Sequence, residues 1–460
     1  MTKRVGITGA TGFIGRAMVD ALAKRGDQVR ALVRNLDAAS FRPGVEVRRF
    51  DVMQPQDDSA ALEGLDAIVH LAGESVAGRW TAEKKRQIRD SRVVGTRNLV
   101  GAMRACVNPP RILISASASG YYGGRRDEVL EESAAPGDDF LAGVCIEWER
   151  EAHAAAGSGS RVVCVRQGLV LGPGGGALHS MLPPFRLCIG GPLGSGRQWW
   201  PWIHLDDDVA LYLFALDRED IAGALNAVSP DITTNARFSQ ALGHAMRRPS
   251  LAPAPPIALR AVLGEFSETL LSSQLMLPAK AEDARFVWKH ESLEQALIDI
   301  LSPGSRRRPA LRRLEASERV DAGIEDVFAF FSDASNLQQL TPPSLDFVML
   351  TPGPIAMRRG AVIEYQLKVH GLPIRWKTLI TKWRPGECFE DVQLRGPYSL
   401  WKHRHEFEAE NGAVVVRDRV EYALPLAPLS NAALPLVDRD VKDIFAFRRS
   451  RMQALLRVNR

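Results

Sequence analysis

Over the first 230 residues, short apolar runs alternate with longer segments whose apolar positions recur at helical spacing. VGIT (5–8), VRALV (29–33), VEVRRF (45–50), AIVHLA (67–72), RILISAS (111–117) and RVVCVRQG (161–168) read as strands. Residues 14–25, 82–106 and 140–156 between them read as helices. Apolar strands separated by helices predict a parallel, doubly wound α/β sheet covered on both faces. Residues 204–216, 235–247 and 291–301 continue as helices. PSLAPAPP (249–256) is a proline-rich connection, and 257–301 reads as a small helical appendix that completes a first domain over residues 1–301.

The pattern then changes. SPGSRRRPALRR (302–313) has no usable hydrophobic period and predicts a linker. Beyond it LEASERV (314–320), VIEYQLKV (362–369), IRWKTLITKW (374–383), CFEDVQL (388–394), WKHRHEFEAE (401–410) and VVVRDRVEYAL (414–424) read as strands. EDVFAFFS and NLQQL predict two short helices, and a long last helix is expected over about 432–457. An antiparallel sheet closed by a C-terminal helix, an α+β domain over residues 314–460, is the expectation.

Composition changes this picture little. The chain has 460 residues, 45% hydrophobic and 25% charged, which excludes disordered and collagen-like classes. No apolar run reaches the roughly 18 residues of a membrane span. The N-terminus enters a strand almost at once, so no signal peptide is expected. The five cysteines form no CxxC pair, and a cytoplasmic location follows as the simplest expectation. Residues 303–460 hold 25 Lys and Arg against 19 Asp and Glu, concentrated in 306–313 and 448–460. This reads as a solvated linker and a basic last helix rather than a specific nucleic-acid or membrane partner.

Chemistry first shows in Thr8-Gly9-Ala10-Thr11-Gly12-Phe13-Ile14-Gly15, which follows the first strand and opens a helix. Gly9 permits the tight turn, Gly12 the close approach of a pyrophosphate to the helix N-terminus, and Gly15 close helix–strand packing. Gly9, Thr11, Gly12, Phe13, Ile14 and Gly15 are therefore candidate dinucleotide-binding residues. The second strand ends in Val33-Arg34 where an NAD(H) site places a carboxylate. An Arg there takes a 2′-phosphate as a fork, so NADP(H) is expected and NAD(H) is the weaker alternative. Asp51 is placed toward the adenine, and Leu71, Ala72 and Gly73 beside the nicotinamide ribose.

These motifs resemble the extended short-chain dehydrogenase/reductase superfamily, in its NAD-dependent epimerase/dehydratase branch. Val94-Gly95-Thr96-Arg97-Asn98-Leu99, Arg166-Gln167-Gly168-Leu169-Val170-Leu171-Gly172-Pro173-Gly174 and Trp202-Ile203-His204-Leu205-Asp206-Asp207 carry the likeness further. Ser115-Ala116-Ser117, Gly120-Tyr121-Tyr122-Gly123 and Gly194-Ser195-Gly196-Arg197-Gln198 narrow it to an atypical subfamily with a short C-terminal helical domain. The resemblance covers residues 1 to about 301 and implies a Rossmann fold.

The resemblance also implies a Tyr-xxx-Lys pair, which this chain lacks. Leu141 stands where the tyrosine belongs and Cys145 where the lysine belongs, and neither does that acid–base work. Ser117, Tyr121 and Tyr122, just past the fifth strand, remain as candidate proton donors, with Glu74 a further candidate acid. A substrate pocket is expected among Glu74, Ser117, Tyr121, Arg197, Trp199 and Trp202. The segment Gly196-Arg197-Gln198-Trp199-Trp200-Pro201-Trp202 reads equally as an aromatic ligand wall or as a rigid core loop.

Residues 314–460 resemble the helix-grip superfamily of START, pathogenesis-related and polyketide cyclase-like proteins. Glu318 to Asp333, Asn336-Leu337, the strand series and the last helix carry this likeness. It implies an apolar cavity between sheet and helix, with Phe347, Trp376, Trp383, Tyr398, Trp401 and Phe407 as candidate lining for an apolar ligand. His403 and His405 face one side of a strand, but no third ligand is evident beside them, so no metal is expected. The leading expectation is an NADP(H)-dependent oxidoreductase acting on a small molecule. A catalytically silent NADP(H) sensor or ligand carrier is the alternative, and an ordinary nucleotide-sugar epimerase is the weakest.

Overall fold

The computed structural model describes residues 2–37, 39–55, 59–304, 311–425 and 429–456. The chain divides into two compact units, residues 1–307 and 308–460, at a point inside the expected linker. The arginine run 306–308 and the residues from 457 onward lie outside the described residues. No helix among the described residues is long and apolar enough to cross a membrane.

The first unit is built on seven parallel strands. They are β1 (Arg4–Thr8), β2 (Gln28–Val33), β3 (Glu46–Arg49), β4 (Ala67–His70), β5 (Ile112–Ala118), β6 (Arg161–Gln167) and β7 (Gly223–Ala227). Their spatial order is β7-β6-β5-β4-β1-β2-β3, every neighbouring pair parallel. The order reverses between β1 and β4, which opens a crevice at the carboxyl edge of those strands. Side chains alternate across the pleat. Val5, Ile7, Val69, Val163 and Val165 enter one core, with Met18, Val19 and Leu22 of helix α1 (Phe13–Arg25). Ile68, Leu113 and Val162 enter the opposite core with Leu99, Val100 and Met103 of α2 (Ala82–Ala105). The sheet is thus doubly wound, a Rossmann fold. Helix α3 (Phe140–His153) starts at Asp139, whose side chain accepts from the Ala142 amide.

Two elements depart from the sequence expectation. Strand β7, Gly-Ala-Leu-Asn-Ala, has no β-branched residue and only one bulky one, and its pairing with β6 makes it an edge strand. Helix α4 (Gly176–Arg186) forms in spite of Pro183 and Pro184 inside it, burying Leu178, Leu182 and Phe185. Helices α5 (Leu205–Asp217) and α6 (Asn235–Met246) follow.

The appendix consists of α7 (Pro256–Leu263), α8 (Phe266–Leu271), α9 (Ala279–Asp283) and α10 (Leu293–Leu301). Leu293, Ala296, Leu297 and Ile298 of α10 share a core with Phe238, Ala241, Leu242 and Ala245 of α6.

The second unit is a seven-stranded antiparallel sheet: β8 (Arg312–Val320), β9 (Val348–Met349), β10 (Val362–Val369), β11 (Leu372–Arg384), β12 (Cys388–Arg395), β13 (Leu400–Glu410) and β14 (Ala413–Ala423). The order is β8-β14-β13-β12-β11-β10-β9. Helix α11 (Ile324–Ser332) packs Val327, Phe328 and Phe331 against Ile380, Phe389, Phe407 and Val416 of the sheet. The long helix α12 (Leu434–Leu456) buries Val441, Phe445, Met452 and Leu456, a single stripe at helical spacing.

A cavity of about 710 Å³ lies within this unit. Phe347, Trp376, Tyr398 and Trp401 line it, as expected of the lining residues. Trp383 and Phe407 do not: they pack with Phe328 and Phe389 where α11 covers the sheet, Phe407 on the same face as His403 and His405 but farther along its strand.

Candidate functional site

The glycine turn leaves β1 at Thr8. Gly9 has φ +67°, and a Cβ there would lie 2.7 Å from the Leu71 carbonyl carbon. A Cβ on Gly15 would lie 2.1 Å from Gly9 O. Gly12 differs: its added Cβ would meet only Gly9 O, at 3.1 Å, and otherwise open space. Gly12 is also the N-cap of α1 and makes no side-chain cap, and the first turn carries no acidic residue. The first amides of α1, from Phe13 onward, therefore stand beside open space at Gly12 with the positive end of the helix behind them, which is the donor set a pyrophosphate requires.

The side chains of the turn have other tasks. Phe13 is enclosed by the loop of Gly172, Gly175 and Gly176, where any Cβ would strike its ring. Ile14 packs on the α1 core, and Thr11 is exposed with its carbonyl accepting from Arg16 Nε at 3.1 Å. Arg34 follows β2 directly and is exposed, and its charge acts on Glu74. Asp51 lies just past β3, where its carboxylate accepts from the Met53 amide at 3.0 Å.

Across the crevice, the end of β4 is tied to β1 by a residue the sequence reading passed over. Thr8 Oγ1 accepts from the Leu71 and Ala72 amides at 3.2 and 3.3 Å and bonds His70 Nδ1 at 2.7 Å. His70 Nε2 bonds Thr96 Oγ1 at 3.0 Å. Burial pushes the His70 pKa down to about 4, so a neutral imidazole bridges two hydroxyls. This chain fixes the Leu71-Ala72-Gly73 backbone beside Gly9.

The carboxyl ends of β5, β6 and β7 carry a buried polar row. Ser117, Arg166 and Asn226 are register neighbours on adjacent strands. Ser117 Oγ donates to Glu149 Oε1 at 2.7 Å, and Arg166 holds the same carboxylate by two bonds of 2.8 Å. Arg166 also donates to the Tyr122 hydroxyl at 2.9 Å, and that hydroxyl donates to Asn226 Oδ1 at 2.7 Å. Tyr122 is fully buried, and burial pushes its phenol up to about 12. Both Ser117 and Tyr122 thus spend their protons inside a structural network. Tyr121 is different. Its ring lies 3.4 Å below the Arg166 guanidinium, it is half-buried, and its hydroxyl has no protein partner among the described residues.

The position expected of the family's lysine is taken by a buried thiol. Cys145 is buried, and burial followed by the charge of Glu149 pushes its thiol up to about 12. Leu141 packs over Gly120. A cation nevertheless reaches this region from α2. The Arg92 guanidinium lies 3.5 Å from where a Cβ on Gly73 would stand. It donates to the carbonyls of Glu74 and Ile88 at 2.9 and 3.1 Å and lies over the Trp148 ring, with no carboxylate in salt-bridge reach among the described residues. Its charge is felt by both Cys145 and Glu74. In the sequence it is one of many charged residues along α2, with nothing local to single it out.

The expected substrate pocket is only partly assembled. Glu74 is half-buried four residues past β4, paired with Lys84 at 2.7 Å, and this bond holds its carboxyl below the usual range. Arg197 is exposed. Trp202 is 1% exposed and its indole donates to Asp231 O at 2.8 Å, while Trp199 is 5% exposed and donates to Asp127 Oδ1. The tryptophan segment is thus packed into the first unit, with two of its indoles tied to Asp231 and Asp127.

Two family models match the first unit: the NAD dependent epimerase/dehydratase family over residues 5–227, and a domain of unknown function, DUF1731, over residues 254–300. An epimerase family protein SDR39U1 homolog of Arabidopsis thaliana, chloroplastic, is 38% identical over 300 residues, 65% of this chain and 86% of the relative. An epimerase family protein of Mycobacterium tuberculosis is 39% identical over 295 residues, 64% of this chain and 96% of the relative. The crystal structure of human epimerase family protein SDR39U1 with NADPH superposes with a TM-score of 0.58 at 34% identity, over 65% of this chain and 99% of that one. The epimerase match covers the glycine turn and the strands of the doubly wound sheet, the DUF1731 match covers the helical appendix, and the chain belongs to the NAD dependent epimerase/dehydratase family.

Proposed function

We propose that the first unit binds NADP(H) and serves as an oxidoreductase for a small organic carbonyl or alcohol, and that the second unit carries an apolar ligand. The observation that supports the first part most directly is the open face of Gly12 against the α1 amides, with Arg34 one residue beyond β2. The NADPH in the structure of the human relative agrees with it. When bound, NADP(H) supplies a hydride. The amides from Phe13 onward hold the pyrophosphate, Arg34 forks onto the 2′-phosphate, and the Thr8–His70–Thr96 chain keeps the β4 edge in place.

With Leu141 and Cys145 inert, Tyr121 is the residue placed to give or take a proton at its free hydroxyl, its ring fixed by Arg166. Arg92 brings the positive charge that Cys145 cannot supply. The inert pair also favours the second reading, a binding protein without turnover. In the second unit, a helix laid on an antiparallel sheet around a cavity lined by Phe347, Trp376, Tyr398 and Trp401 supports a helix-grip ligand-binding module. The volume falls within the range of small-molecule sites.

Titration calorimetry tests the cofactor assignment. Arg34→Ala is expected to erase most of the preference for NADPH over NADH, about tenfold or more. A variant that discriminates as the wild type does would remove Arg34 from the site. Tyr121→Phe is expected to lower NADPH turnover about 100-fold while leaving NADPH affinity in place. Turnover undiminished in this variant would exclude Tyr121 as the proton donor.

A further inference from the structure

The second unit contains a polar group that apolar ligand binding does not use. Asp391 on β12 stands opposite His403 on β13, and His405, two residues along, stands opposite Asp418 on β14. All four face the interior of the unit. Asp391, His403 and His405 line the cavity; Asp418 is not part of its lining.

The ring nitrogens divide accordingly. On the Asp418 side, His403 Nε2 bonds Oδ1 at 3.0 Å, and His405 Nδ1 lies 2.7 Å from the same oxygen, out of hydrogen-bond line. On the cavity side, His403 Nδ1 lies 3.6 Å and His405 Nε2 4.0 Å from Asp391 Oδ2. Neither of these two nitrogens has a hydrogen bond among the described residues. The other Asp391 oxygen accepts from Thr378 Oγ1 at 3.0 Å, which sets the carboxylate's orientation.

We propose that Asp391, His403 and His405 form a binding site for a divalent transition-metal ion in the wall of this cavity, with Asp418 as the acceptor behind both imidazoles. Three donors within 4.8 Å of one another suit this assignment. Ligands about 2.1 Å from a tetrahedral ion are about 3.4 Å apart, so the observed 3.6 and 4.0 Å need to close by about 0.2 and 0.6 Å. The His403 tautomer agrees as well: its Nε2 proton bonds Asp418 and leaves Nδ1 with a lone pair, and His405 takes the matching tautomer once Nδ1–H turns into line with the same oxygen. A carboxylate behind a ligating histidine is the usual outer-shell partner.

Charge points the same way. Arg448, which lines the same cavity, acts on Asp391 and His405 but offsets only one of the two carboxylates. With neutral imidazoles the group keeps a net negative charge in a buried place, which a divalent ion offsets. Two nitrogens and one oxygen suit the Fe²⁺ to Zn²⁺ series rather than Ca²⁺ or Mg²⁺. The remaining coordination positions open into the cavity, toward any ligand there that carries an oxygen or nitrogen donor. Metal binding needs no apolar ligand, so this proposal and the carrier reading fail separately.

One other cluster of this kind occurs among the described residues, His204, Asp206 and His290 in the first unit. There the two rings stack at 3.6 Å and Lys289 Nζ lies 2.5 Å from Asp206, so a cation already occupies the carboxylate. It serves as the control.

The test uses the full chain, stripped with EDTA and titrated with Co²⁺ by visible absorption and with Zn²⁺ by calorimetry. One equivalent is expected at about micromolar Kd or tighter. The Co²⁺ form is expected to show two hyperfine-shifted imidazole N–H resonances in the proton spectrum. Asp391→Asn and His405→Gln are expected to weaken Zn²⁺ at least about 100-fold, Asp418→Asn by about 10- to 100-fold, and His290→Gln not at all. No saturable binding below about 1 mM, the absence of the two histidine resonances, or affinity retained in Asp391→Asn overturns the proposal. So does loss of binding in His290→Gln, which moves the ion to the first unit. Where a variant of the second unit fails to fold, the Co²⁺ spectrum of His290→Gln decides the matter: both resonances retained support the ion at His403 and His405, and their loss overturns the proposal.

Discussion

Arg237→Leu is expected to destabilise the first unit by about 3–5 kcal/mol. Arg237 is 5% exposed and holds two carboxylates at once: Asp231 at 2.6 and 2.8 Å, and Glu294 at 3.0 and 2.9 Å. It also donates to Ile232 O at 3.0 Å. Asp231 in turn accepts from the amide of Leu293, the first residue of α10. The three residues therefore fasten the appendix to α6 and to the loop after β7. Leucine fills part of the volume but leaves two buried carboxylates without a counter-charge, and that cost exceeds the lost packing. The loss is a large share of a margin of about 5–15 kcal/mol. At roughly 2–4 °C per kcal/mol in a chain of this size, the melting temperature falls by about 6–20 °C. The relevant transition on the full chain is the one that NADPH raises, since a ligand stabilises only the unit it binds. A shift under about 2 °C in that transition would mean that the carboxylates find other partners and that the triad is not what holds the appendix.

The polar triad explains why the appendix was legible in sequence only as an outline. Its helices carry helical spacing, but Asp231, Arg237 and Glu294 lie in three elements that only the fold brings together. The same holds elsewhere. The glycine turn, six of the parallel strands and helices α1, α2 and α3 follow from local pattern, since each is a run of neighbours obeying one period. Strand β7 is not, because Gly-Ala-Leu-Asn-Ala is a strand only by virtue of β6 beside it. Ser117 and Tyr122 read as free donors because Glu149, Arg166 and Asn226, 32 to 104 residues away, are invisible from their own segments. The anchoring of the Trp202 indole is hidden in the same way, because Asp231 lies 29 residues further on. His403 and His405 read as an incomplete pair because Asp391 is supplied by the adjacent strand. Local periodicity determines elements; cross-strand register determines sites, and register depends on turns and bulges that the pattern does not encode.

The second large effect belongs to the glycine turn, where two substitutions separate folding from binding. Gly15→Ala is expected to damage both. Its Cβ would lie 2.1 Å from Gly9 O and 2.9 Å from Ala10 Cα, and both obstacles are backbone. The turn must move away from α1, which disturbs the packing of α1 on β1 and the line of amides that faces the phosphate. Gly12→Ala is expected to damage binding alone. Its Cβ meets only Gly9 O at 3.1 Å, and alanine in place of glycine at an N-cap costs about 1 kcal/mol or less, so the cofactor-free protein melts within a few degrees of the wild type. The new methyl group nonetheless stands in the open space where the pyrophosphate approaches the helix amides. NADPH affinity is expected to fall at least about 100-fold, or roughly 2.7 kcal/mol, with NADH affected alike, because both share the pyrophosphate. Calorimetry on the two variants, beside melting curves without cofactor, measures both effects. Gly12→Ala binding NADPH within about threefold of the wild type would place the pyrophosphate away from this turn, and the cofactor site with it.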